Sequence, residues 1–98
     1  MIKRKNNSVK MKEIRKQIDR IDSMILPLMV KRSLLVNKAL ELKTKKSEII
    51  DVERINQIKR KIAVQAKNLG ANPKLISNIW MSIIKNFIEF EKRNFKKK

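Results

Sequence analysis

A heptad stripe constrains the first half of this chain more than any other feature. Stepping by threes and fours from Met11 gives Met11, Ile14, Ile18, Ile21, Ile25, Leu28, Arg32, Leu35, Ala39 and Leu42. Nine of these ten positions are apolar, the pattern of a seam along which one helix packs against another. The tenth is Arg32, a permanent charge inside "LPLMVKRSLLV". The spacing predicts a helix from about Val9 to Lys46, roughly 55 Å long at 1.5 Å per residue. Pro27 falls inside it and is expected to kink it while the stripe keeps its register on both sides.

After the short link "KSEII", Asp51 in "DVERI" is a good N-cap for a second helix, with apolar positions at Val52, Ile55, Ile58, Ile62, Val64, Ala66 and Leu69. Gly70 is placed to end it. Asn72 and Pro73 then read as the N-cap and first turn of a third helix carrying Ile76, Ile79, Trp80, Ile83, Ile84, Phe87 and Ile88. One Gly and two Pro in 98 residues leave an all-α class, one very long helix and two shorter ones. The expected organisation is a basic, flexible segment over 1–10, a helical domain over 11–93 and a basic tail over 94–98. Two helices of about 30 Å cannot cover a seam of about 55 Å. A second copy of the chain is the simplest cover, so an intertwined homodimer is expected.

The absences narrow the chemistry. Without Cys there is no disulfide, thiolate nucleophile or zinc-finger spacing, and without His the commonest general base and metal ligand is missing. No apolar run follows the basic start as in a signal peptide, and none approaches the roughly 20 residues of a membrane span. A soluble cytoplasmic protein is expected. The net charge of +17 suits a polyanion or a small anionic ligand. Yet Ile, Lys and Asn supply 43 residues, a bias that an AT-rich coding sequence produces without functional demand. With 19 Lys against 7 Arg, each Arg is the more selective clue, and Arg is the better grip for a carboxylate.

Several charged residues have both an ordinary and a functional reading. Arg32 is a register device or polar layer in a bundle, or a ligand for an anion. Lys43, eleven residues on, points within about 20° of Arg32 on an ideal helix and lies about 16 Å along it, so both could reach one small molecule. Beside Lys45 and Lys46 it also reads as a solvated helix end. Arg15 is about 25 Å from Arg32 along the rod and points roughly 100° away. It joins the same site only from the other subunit of an antiparallel pair; otherwise it makes surface pairs with Glu13 and Asp19. Arg54 opens the second helix, within reach of Lys43. Glu91 prolongs the stripe of Ile84 and Phe87 at spacings of seven and four, or is simply exposed beside Lys92 and Arg93. Asp51 reads as a cap in any case.

Taken together, "EIRKQIDRIDSMILPLMVKRSLLVNKALELK", "DVERI" and "IWMSIIKNFIEFE" resemble the all-helical chorismate mutase family over about residues 11 to 93. The resemblance implies a homodimer interlocked through its long helices, with two equivalent sites, each for one dianionic substrate and with no metal and no cofactor. It implies that Arg15 reaches across the dimer to a substrate carboxylate and that Arg32 binds a carboxylate within its own chain. Lys43 would contact the ether oxygen and a carboxylate, Arg54 would border the pocket and Asp51 would lie near the substrate hydroxyl. Glu91 would face the ether oxygen, where it can help only as a protonated donor. Arg32 would then interrupt the seam because the seam opens there for an anion.

Three features depart from typical mutases of that family. The Glu that usually follows the Arg of the "DPERE"-like motif is here Ile55. The loop between Lys43 and Asp51 is one residue shorter, and a pocket-lining Ser is here Phe87. These features resemble the isochorismate-pyruvate lyase branch, which makes salicylate on the same scaffold. A non-enzymatic alternative is a basic helical module that binds nucleic acid. Against it, the lysines are spread over all the helices and no recognition motif occurs.

Overall fold

The structure is a computed structural model and describes residues 2–97. It is all-α: α1 spans Ile2–Leu42, a single 3-10 turn spans Lys46–Glu48, α2 spans Val52–Asn68 and α3 spans Pro73–Asn94. No strand occurs among the described residues. The chain divides into two compact units, residues 1–34 and 35–98.

The first unit is a single helix, the main part of α1. It begins at Ile2 rather than near Val9. Nothing in "IKRKNNSV" forbids this, since the stretch holds neither Gly nor Pro and its lysines and arginine are good helix formers. The helix also continues through Pro27, whose missing N–H leaves the Ser23 carbonyl without its intrahelical donor. Within this unit the predicted seam faces outward. Met11, Ile14, Ile18, Ile21, Ile25 and Leu28 are each 48–67% exposed. A row of large apolar side chains in water is a surface that asks for a partner.

In the second unit the last turns of α1 lead into the 3-10 turn, and α2 and α3 pack on each other as a helical hairpin. Its core holds Leu40, Ile49, Ala66 and Ile84. On α2 the inward positions are Ile55, Ile58, Ile62 and Ala66, a three-and-four spacing, while Val64 is exposed. Val64 follows Ile62 by two residues, about 200° around the helix, so the same stripe cannot hold both.

The helix ends follow from local chemistry. Asp51 Oδ1 accepts from the Arg54 N–H at 3.0 Å and caps α2. The Asn72 side chain accepts from the Leu75 N–H at 3.1 Å and caps α3, with Pro73 in its first turn. Between them, the Gly70 N–H donates to the Lys67 carbonyl and the Ala71 N–H to the Ala66 carbonyl, at 3.0 and 2.9 Å. These two bonds make a Schellman closure, and Gly70 supplies the φ of +76° that it needs.

Candidate active site

The end of α3 determines where Glu91 goes. Ile84, Ile88 and Glu91 recur at spacings of four and three, so the carboxylate falls on the face that α3 turns inward and is only 7% exposed. A carboxylate taken out of water must be paired. Its partner is Lys43, whose Nζ donates to Glu91 Oε2 at 2.7 Å. The pair has one closed and one open side, because the Lys43 side chain keeps 21% of its exposure. Glu91 is therefore not the exposed neighbour of Lys92 and Arg93 that composition allowed, and Lys43 is not a freely solvated helix end.

Lys43 lies just beyond α1, not within it as predicted. The expected helix end at Lys46 moves back to Leu42 because the next residues find other partners. The Lys43 N–H donates to the Leu40 carbonyl at 3.1 Å, a tightened last turn. Beyond it, Glu48 Oε1 accepts from the Thr44 hydroxyl at 2.9 Å and from the Thr44 and Lys45 N–H groups at 3.3 and 3.0 Å. The Glu48 carboxyl is held below the usual glutamate range, chiefly by the Thr44 hydroxyl. The two backbone N–H groups and the Lys45 charge act in the same direction, while desolvation opposes them. A lowered carboxyl contributes stability at pH above its unfolded value and loses it as pH falls through the folded one. These contacts therefore persist at neutral pH and open in acid.

The other candidates are distributed as follows. Asp51 caps α2, Arg54 is exposed in its first turn, and Ile55 behind it is half-buried. Phe87 is half-buried on α3. Arg15 and Arg32 belong to the other unit, Arg15 exposed and Arg32 half-buried, about 25 Å apart along one helix. One helix cannot bring them to one small molecule. Among the predicted residues the structure thus joins Lys43 to Glu91 and Asp51 to the backbone of Arg54. Glu48 was not foreseen; its only signal was the spacing Thr44 to Glu48 just past the helix end.

Among the described residues no cluster of His, Cys, Asp and Glu could hold a metal ion. No described helix is long and apolar enough to cross a membrane. What the second unit offers is a fixed ammonium beside a buried carboxylate, a pair that can present one cation to an anionic or polar atom. Neither a curated protein nor a solved structure matches the chain. A family model, chorismate mutase type II, matches residues 14–92. That stretch contains most of α1, all of α2 and the Lys43–Glu91 pair, so the match spans the whole helical plan: the chain belongs to the chorismate mutase type II family.

Proposed function

We propose that the chain converts chorismate to prephenate, a cytoplasmic step of aromatic amino acid biosynthesis, in sites shared between two copies of itself. The observation that carries this reading is the Lys43–Glu91 pair at 2.7 Å, within the segment that the family model matches. In the rearrangement a C–O bond of the ether breaks while a C–C bond forms in one concerted step. The step needs no nucleophile, and negative charge grows on the ether oxygen. Lys43 meets that charge as a preorganised cation. Glu91, whose Oε2 accepts from Lys43 Nζ, holds that ammonium in place beside the same oxygen. Arg32 and the partner subunit's Arg15 grip the two carboxylates as planar forks and fold the flexible dianion into its reactive shape. Arg54 borders the pocket, and Asp51 lies near the substrate hydroxyl.

The shared site draws support from the first unit. Its seam is exposed from Met11 to Leu28, and Arg15 cannot reach Arg32's substrate from its own helix. A second chain laid antiparallel along the seam would answer both.

A second reading, isochorismate-pyruvate lyase, is favoured by Ile55 in place of the hydroxyl-binding Glu and by Phe87 beside the Glu91 position. Purified protein supplied with chorismate and with isochorismate, with products separated by chromatography, distinguishes them. Prephenate from chorismate at a rate well above the uncatalysed one is the expected result. Salicylate and pyruvate from isochorismate, with slower turnover of chorismate, would transfer the assignment to the lyase. No turnover of either, with DNA binding that falls steeply as salt rises, would leave only the nucleic-acid module.

A further inference from the structure

We infer that Glu48 is a positioning residue for Lys43, fixing the direction in which the backbone leaves the lysine and so the place its ammonium can reach. The inference rests on the reading above, in which Lys43 meets the ether oxygen.

A lysine just past a helix end has four rotatable side-chain bonds and a backbone free to fray. Here that freedom is removed on both sides. Before the lysine, its own N–H is tied to the carbonyl of buried Leu40. After it, a single oxygen, Glu48 Oε1, accepts from the Thr44 N–H, the Thr44 hydroxyl and the Lys45 N–H. Glu48 is fixed in turn. Its N–H donates to the Lys45 carbonyl at 3.1 Å, and the Ile49 N–H donates to the Lys46 carbonyl at 3.2 Å. Ile49 anchors this turn in the core.

Glu48 is the third residue of the 3-10 turn and its carboxylate reaches back to the N–H of the capping residue Lys45, but it does not cap the end of α1. The end of a helix leaves carbonyls unsatisfied, and a carboxylate has nothing to donate to them. Glu48 instead binds the N–H groups of the two residues that follow Lys43. Glu48 is itself exposed, so its hydrogen bonds add little to overall stability and act mainly on local geometry. Lys43 is thereby held from two directions, its side chain by Glu91 and its backbone by Glu48.

The test uses the full chain with chorismate as substrate. Glu48→Ala is expected to lower kcat roughly tenfold with KM within about twofold. This is less than the roughly hundredfold cost of a 1 Å misplacement, because Glu91 still holds the ammonium. Glu48→Gln keeps an acceptor oxygen at the same place and is expected to recover most of the loss. Amide hydrogen exchange at Thr44 and Lys45 should quicken in Glu48→Ala while α2 and α3 keep their protection. An unchanged kcat, a rise in KM instead of a fall in kcat, a Gln variant no better than Ala, or unaltered exchange at both amides would each overturn the inference. Wild-type kcat in Lys43→Ala would overturn it too, by removing the role of Lys43 itself. A silent Glu48→Ala beside an inactive Lys43→Ala would refute the role of Glu48 alone.

Discussion

Arg32→Ala is expected to lower kcat/KM for chorismate by roughly a thousandfold, the scale of losing one preorganised donor, while the far-ultraviolet circular dichroism stays that of the wild type. Arg32 stands at the tenth position of an otherwise apolar stripe, so helix formation does not depend on it. On the proposed reading its guanidinium binds a substrate carboxylate. The same logic gives the opposite sign for stability. Arg32→Leu completes the stripe and removes a charge that assembly would bury, so its melting temperature should rise while activity is lost. A clear fall in melting temperature for Arg32→Leu would make the arginine a structural register device.

The second large effect concerns the Lys43–Glu91 pair. Lys43→Met takes away the cation that, on the proposed reading, meets the ether oxygen, and leaves a carboxylate that is 7% exposed without its partner. Activity should fall by about two to three powers of ten. Stability should fall by about 2 kcal/mol, below the 3–5 kcal/mol of a fully buried pair because the lysine is partly open to water. Adding Glu91→Gln to Lys43→Met removes the stranded charge, so the melting temperature should largely recover while activity does not. Recovery of activity together with stability in the double variant would mean that the pair only holds the fold.

The stripe from Met11 to Leu42 made the long helix legible, because a three-and-four spacing kept over ten positions has no other regular solution. The caps at Asp51, Gly70 and Asn72 were equally legible, since each is a local match of residue type to backbone need. Glu91 was visible as a polar end to an apolar face. That its partner would be Lys43 was not, because the two are 48 residues apart and meet only through tertiary packing. The end of α1 was misplaced for a different reason. Thr44, Lys45 and Lys46 could continue a helix by propensity, and only the Glu48 carboxylate draws two of their N–H groups away. The start was misplaced because polar, basic residues suggest fraying, whereas the chain there lacks any residue that stops a helix.

Mixing subunits tests the shared site most directly. Arg15→Ala and Arg32→Ala chains, each inactive alone, are combined and allowed to exchange, with hybrid dimers counted by native mass spectrometry. If Arg15 and Arg32 of one site come from different chains, as proposed, a hybrid has one site that has lost both arginines and one that has both. With random exchange, activity should return to roughly a quarter of the wild-type level per site, half the dimers being hybrids with half their sites intact. Hybrid dimers that form in that proportion and remain inactive would contradict the account.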